Sequence, residues 1–521
     1  MLFKPIFPKS IAKPEALPLL AFLIPLVVRA IPEVLMGSFA VGFDALGYYV
    51  PNTLSWLKYG VDAWNFVAVA PFLYVLLMGA TAVGVPIVVS LKVMSPILLG
   101  LLGVVVYFYA SKTLSWSSKK SLLVVLFSTL YFVALRVSWD MLRSEFASIF
   151  LFVTLIFLER DGNPRKNGVL LSLAMLSVVF AEQLVAVIMF AIVLVTVAHL
   201  WLGKKVRAAA TIAVSAVPAV FSFLVIVYAN YVSSSAFSVI SSFPAQSSAG
   251  FMALFGFSSY SDLVVNTLGF LVFCYLPLIP LLVLSARRFG KNLQLSTWVC
   301  LVLILVLLAI ISPNASFSVL PYRWILFLTY PLAFFAADAF ARLKLNLYKV
   351  GVGLILATLS LGFIFLPNSM AFPYFVLFPS YVPTSMLQNT VSLRDCQGTV
   401  NALNWAKADM NNDSRLLVHD AFYGWASLTL NRSQLIPYGY ADPAAYAQSL
   451  VENGSKCQLY LIWWVNGSGW NGQPTVSSVF SEVYVSGKIA VYTYDPHAAA
   501  NASVSTSSSA SNLVSSLGKR P

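Results

Sequence analysis

Charge is scarce in this chain: Asp, Glu, Lys and Arg together make up 10% of 521 residues, against about 25% in ordinary soluble domains. Histidine occurs only at His199, His419 and His497, with no HxxxH or CxxC pair, so nothing points to a dedicated His/Cys metal site. Without a Walker A loop or a GxGxxG, ATP-driven work and dinucleotide chemistry lack their usual signatures. A GxSxG elbow is missing as well, and with it the mark of a serine hydrolase. What is abundant is apolar: 59% of residues are hydrophobic. No soluble core absorbs that excess. The chain reads as a polytopic membrane protein.

The net charge of +13 suits a nucleic-acid binder until it is divided along the chain. Residues 1–367 carry 24 basic and 11 acidic side chains, whereas 368–521 carry 8 of each. The surplus lies between hydrophobic segments, where it reports membrane orientation.

Crossing a bilayer takes about 20 mostly apolar residues. Eleven spans are expected, near 15–35, 86–111, 121–138, 144–159, 168–181, 184–202, 207–230, 263–285, 295–312, 323–341 and 350–367. Six basic segments fix their direction: Lys4/Lys9/Lys13, Lys112/Lys119/Lys120, Arg160/Arg165/Lys166, Lys204/Lys205/Arg207, Arg287/Arg288/Lys291 and Arg342/Lys344/Lys349. All six fall in the cytoplasm if the apolar stretch 66–85 does not cross, which makes it a re-entrant or interfacial helix on the outer side. Crossing there would put five basic clusters outside. Glycosylation sequons at Asn314, Asn412, Asn431, Asn453, Asn466 and Asn501 all lie in segments assigned to the outside, and none lies in a cytoplasmic loop. The first span lacks a small-residue cleavage site and reads as a retained anchor. The expected placement is a multi-pass protein of the cell membrane, N-terminus cytoplasmic and C-terminal domain extracellular.

Three parts follow: a membrane domain over 1–367 with its first external loop at 36–85, an external domain over 368–495, and a Ser-rich disordered tail over 496–521. In the external domain, RLLVHD (415–420), QLIPYG (434–439) and QLYLIWW (458–464) read as strands around a helix-like PAAYAQSLVENG (443–454). FSEVYVSGKIAVYTY (480–494) reads as a hairpin turning on Ser486-Gly487. A small α/β domain with a mostly parallel sheet is expected. Trp463 and Trp464 are expected to alternate between core and surface. Cys396 and Cys457 bracket the domain and are expected to pair in an oxidising compartment. The Ser/Gly-rich loop 231–262 reads either as a lid or as a linker.

Ionisable groups gather at one membrane face: Asp44, Asp62, Asp140, Glu145 and Glu182, with Arg136, Arg143 and Arg323. Charges this close to hydrocarbon are costly and tend to be kept for a function. Acids and arginines beneath an aromatic loop (Tyr48, Tyr49, Trp56, Tyr59, Trp64) suit a substrate with a phosphate, a sugar and a lipid tail. Arginine clamps phosphate, a carboxylate takes a proton from an acceptor hydroxyl, and aromatics stack on the sugar. Asp338, near a cytoplasmic helix end, is expected to make a polar contact between helices.

This arrangement resembles the GT-C superfamily of polytopic glycosyltransferases, most of all its protein-mannosyltransferase and aminoarabinose-transferase-like branch. The resemblance covers about 15–367. Asp44 in GFDALGYY matches the catalytic acid of the first external loop. Trp64, Pro71, Leu73 and Tyr74 match the W…P-x-L-Y helix that lies at the outer face. Asp140 matches a second acid after the third span, and Arg323 in LPYRWILFL matches a late outer-face arginine. The branch often carries an Asp-Glu pair where this chain has Asp44-Ala45, and WWVNG (463–467) departs from the WWDYG of oligosaccharyltransferases. Those relatives use a carboxylate-bound divalent metal, for which a lone Asp44 gives thin support, so no metal ligand is assigned. The resemblance implies metal-independent, inverting transfer from a polyprenyl-phosphate-linked sugar to a protein, glycan or lipid acceptor. Asp44 and Asp140 are the expected catalytic residues, Arg323 and Arg143 hold the donor phosphate, and Tyr48, Tyr49, Trp64 and Glu182 line the substrate site. A transporter or flippase of lipid-linked sugars is the rival reading. It calls for charges at the bilayer midplane and an internal repeat, and the sequence shows no repeat. A non-enzymatic surface scaffold is the third.

Overall fold

A computed structural model describes residues 16–40, 42, 44–159, 164–237, 260–311, 321–344, 346–365, 389–392, 394–438, 442–453, 457–465 and 476–495. The described residues fall into two compact units. The first holds those of Met1–Val41 and Gly60–Leu366, and the second those of Gly42–Tyr59 and Asn389–Pro521. The stretch 36–85, expected as one loop, is therefore divided between the units, with 42–59 in the second. Most of the loop 231–262, the tail 496–521, and Asn314, Asn466 and Asn501 lie outside the described residues.

The first unit is helical throughout. Its helices are α1 (Leu17–Leu35), α3 (Ala63–Ala68), α4 (Phe72–Ala82), α5 (Ile87–Phe108), α6 (Ser118–Leu130), α7 (Phe132–Asp140), α8 (Leu142–Leu158), α9 (Pro164–Ala181), α10 (Gln183–Leu202) and α11 (Val206–Phe237). They continue as α12 (Tyr260–Tyr275), α13 (Ile279–Ser285), α14 (Leu293–Ile311), α15 (Pro321–Phe327), α16 (Thr329–Arg342) and α17 (Asn346–Phe365). Helix thus occupies every one of the eleven expected spans. Seven are long and apolar enough to cross unaided, or eight if α6 and α7, bent by 58° at Tyr131, count as one. The apolar parts of α8, α9 and α17 stop short of that length. The stretch 66–85 is broken at Ala70, and its longer helix, α4, has 11 residues. That is about 16 Å of rise against a hydrocarbon core of about 30 Å. It is too short to cross. The chain is a multi-pass membrane protein whose core is an aromatic cluster, with Phe152 packed at 5.8 Å on Trp298 and 5.9 Å on Phe334.

The second unit is a five-stranded sheet in the order β2-β1-β3-β5-β4. Its strands are β1 (Arg415–Val418), β2 (Leu435–Pro437), β3 (Leu459–Trp464), β4 (Phe480–Ser486) and β5 (Ile489–Tyr494), with helices α18 (Cys396–Asp409), α19 (Asp420–Thr429) and α20 (Pro443–Glu452). The hairpin turns at Gly487, whose φ of +62° favours glycine. Two expectations need correction. The sheet is mixed rather than mostly parallel, because β3 pairs parallel with β1 but antiparallel with β5. Trp463 and Trp464 are both buried, since β3 is central and every one of its residues is covered. Both faces of β3 are covered, so neither tryptophan reaches solvent.

No disulfide joins Cys396 and Cys457. Cys396 sits in the first turn of α18 with its thiol on the Ser392 carbonyl at 3.5 Å. Burial, reinforced by Asp395, pushes that thiol up to about 12.

Residues 42–59 join the second unit through α19. Leu46 of the π-turn Ala45–Tyr49 lies against Gly424, where a Cβ would collide with the Leu46 backbone carbonyl. Below it, α2 (Val50–Tyr59) is tied by Lys58 Nζ donating to Asn431 Oδ1 at 2.6 Å and by Arg432 donating to Ser55 at 2.8 Å. Gly424→Ala is therefore expected to displace the segment that carries Asp44 and cost about 1–3 kcal/mol. Limited proteolysis within 42–59 checks this, and cleavage no faster than in the wild type contradicts it.

Candidate functional site

The first unit has two polar clusters that meet at the α7–α8 junction. Helix ends leave carbonyls without helical partners, and both clusters use them. At the first, α7 stops at Asp140 and the Ser138 carbonyl accepts from Arg29 Nε at 3.3 Å. Arg29 is fully buried in α1. It donates to Glu33 one turn on at 2.7 Å and lies over the Trp139 ring at 5.0 Å. Lys92 of α5 reaches the other Glu33 oxygen at 3.3 Å, the Glu33 carbonyl at 2.6 Å and the Phe39 carbonyl at 2.8 Å. One carboxylate thus ties α1, α5 and, through Arg29, α7.

The second cluster holds the hairpin formed by α3 and α4. Helix α3 ends at Ala68, and the chain turns at Ala70 with φ +52°, an unusual value for a residue with a Cβ. The carbonyls exposed by this turn are taken up by side chains. Gln183 and Asn230 both donate to Ala68, at 2.5 and 2.9 Å, and Arg143 donates to Val69. Arg143 also pairs with Glu182 at 3.2 Å. Glu182 is the extended residue that breaks α9 from α10. Asp62 starts α3 by accepting from the backbone of Trp64 and Asn65, and Trp64 packs edge-on against Tyr228 at 5.6 Å while staying 44% exposed.

The candidates therefore separate. Arg143 and Glu182 are brought together, but as partners of each other and of the hairpin. Asp140 closes α7 at the junction of the two clusters. Arg323 is half-buried on α15, which packs against α7 and is held by Tyr275 donating to the Ile325 carbonyl at 2.7 Å. Glu145, in the first turn of α8, is fully buried with neither carboxylate oxygen hydrogen-bonded. In the second unit, Asp44 is half-buried at the start of the π-turn and does not cap it. Tyr48 is exposed, whereas Tyr49 is 3% exposed and too covered to line a site. Among the described residues no three His, Cys, Asp or Glu side chains converge, so no metal ligands are assigned.

Sequence reasoning missed Arg29, Glu33 and Lys92. The signal was present: an i,i+4 pair of opposite charge inside one apolar span, and a lysine one turn into the next. At the far end of the bundle Asp338 does make the expected polar contacts, with Lys120, with Arg342 at 2.7 Å and with Arg288 at 3.5 Å.

ArnT from Cupriavidus metallidurans in the apo state matches this chain with a TM-score of 0.51 at 15% identity, over 91% of this chain and 97% of ArnT. The chain has the ArnT fold. ArnT bound to undecaprenyl phosphate gives a TM-score of 0.49 at 14% identity, over 92% and 97%. No family model matches, and no curated protein does. The apo ArnT likeness bears out the expected polytopic helical fold with a C-terminal α/β domain. At this identity it speaks of fold alone.

Proposed function

We propose that this chain is an integral membrane glycosyltransferase that moves a sugar from a polyprenyl-phosphate donor to an acceptor hydroxyl on the outer face of the membrane. The observation that carries the reading is the gathering of buried and half-buried charge at one end of an ArnT-like bundle. Arg29, Glu33, Lys92, Arg143 and Glu182 are held there by terminal carbonyls and by one another. A transporter places such groups along a midplane path. Here they hold the outer hairpin and the ends of α1, α5 and α7.

In this reading Asp44 accepts the proton of the acceptor hydroxyl, which attacks the anomeric carbon from the face opposite the phosphate. The C–O bond to the lipid phosphate breaks, and Arg323 stabilises the charge that develops on the departing phosphate. Asp140 is assigned to orienting the acceptor. These roles rest on position in the chain and on the family resemblance. Arg143, engaged by Glu182 and Val69, is assigned to holding the hairpin that presents Trp64.

The test is an assay in lipid nanodiscs with labelled polyprenyl-phosphate monosaccharides and a membrane extract as acceptor. Label should leave the lipid. Arg323→Ala is expected to raise the donor KM by about tenfold or more, the loss of one charge-assisted contact of about 1.5–3 kcal/mol. Unchanged donor affinity in that variant removes its assigned role.

A further inference from the structure

A lateral groove of about 710 Å³ opens between α9 and α11, lined by Gly168, Val169, Arg207, Thr211, Val214 and Ser215 among others. Gly168 lies 14 residues from Glu182 along α9 and so about 20 Å from the polar clusters. It is a separate site. Its floor is tight: a Cβ on Gly168 would sit 3.1 Å from Ser215 Oγ. The hydroxyls of Thr211 and Ser215 are satisfied within α11 by the carbonyls of Arg207 and Thr211, so the floor offers shape more than polarity. Val169 and Val214 flank it as exposed apolar walls.

The mouth is basic. Arg207 is exposed, and among the described residues no acid pairs with its guanidinium. Lys204 and Lys205, also exposed, form the turn from α10 into α11. Lys204 adopts φ +61°, a left-handed helix-end position that glycine usually takes. Trp201, 60% exposed, stands one turn before, as interfacial tryptophans do. A largely apolar groove with an exposed arginine lining it and two exposed lysines in the adjoining turn is complementary to one class of ligand.

We propose that this groove binds an anionic glycerophospholipid, with the phosphate on Arg207 and an acyl chain between Val169 and Val214. Basic pockets between helices at a membrane boundary recognise such headgroups by this chemistry. The inference stands apart from the proposed transferase activity and does not need it.

Native mass spectrometry of the full chain, released from nanodiscs of equal phosphatidylglycerol and phosphatidylcholine, tests it. Wild type should retain phosphatidylglycerol in several-fold excess. Arg207→Gln should cut that retention about fivefold, the factor that one basic side chain near an anionic surface is worth. Val214→Trp fills the slot without removing charge and should cut it comparably, while Arg287→Gln, an exposed basic residue elsewhere, should leave it unchanged. Equal retention of the two lipids overturns the proposal, as does full retention in either groove variant. Displacement of phosphatidylglycerol by stoichiometric polyprenyl phosphate overturns the assignment to a glycerophospholipid.

Discussion

Asp44→Asn is expected to lower sugar transfer by about 10²–10⁴-fold, the range that a positioned general base contributes, while leaving the protein folded. Asn keeps the size and one acceptor oxygen of Asp but cannot take up a proton. Asp44 makes no capping bond to the π-turn it precedes, so the exchange removes no cap from that turn. Donor binding should survive, because Asp44 is assigned to the acceptor and Arg323 to the phosphate. Turnover within a few-fold of wild type, measured with saturating lipid-linked sugar and matched thermal melts, contradicts the assignment.

Glu33→Ala should be the most damaging change to stability in the membrane unit. It removes the 2.7 Å partner of Arg29, a residue with no exposed surface, and the 3.3 Å partner of Lys92. Breaking a buried ion pair by deleting one member costs about 3–5 kcal/mol, since the remaining charge stays desolvated. Ser138 and the Trp139 ring still hold Arg29 but supply no opposite charge. The double change Arg29→Leu with Glu33→Leu removes both charges from the apolar interior and should recover much of the loss. Thermal melts in one detergent decide it. A single variant melting like wild type, or a double variant less stable than the single, removes the structural role given to this cluster.

The fold was legible because hydrophobic length and basic loops act over long stretches. Each span needs many apolar residues, so no single misreading erases it. The expectation that 66–85 does not cross came from counting basic clusters, and the turn at Ala70 and the 11-residue α4 agree with it. The strands of the second unit were legible from short apolar runs between turn residues. Partner choice was not: β3 takes β1 on one side and β5 on the other through contacts distant in sequence, which makes the sheet mixed, and the covering of both faces of β3 buries two tryptophans. The attachment of 42–59 to α19 depends on the missing side chain of Gly424, which composition cannot reveal. At the candidate site, Arg143 and Glu182 stood out as costly charges, but sequence carries no sign that they satisfy each other and the Val69 carbonyl. Arg29 and Glu33 were hidden for the opposite reason, since a pair spaced one turn apart makes a span look only slightly less apolar.

The proposed transferase takes sugar off the lipid, whereas a flippase carries it across the membrane still attached. Sealed proteoliposomes holding polyprenyl-phosphate sugar in both leaflets, with the sugar labelled and an acceptor outside, separate the two. Label is expected to move from lipid to acceptor, free polyprenyl phosphate to appear in equal amount, and Asp44→Asn to stop both. Labelled lipid exchanging between leaflets with its sugar still attached, equally fast in wild type and Asp44→Asn, would contradict it.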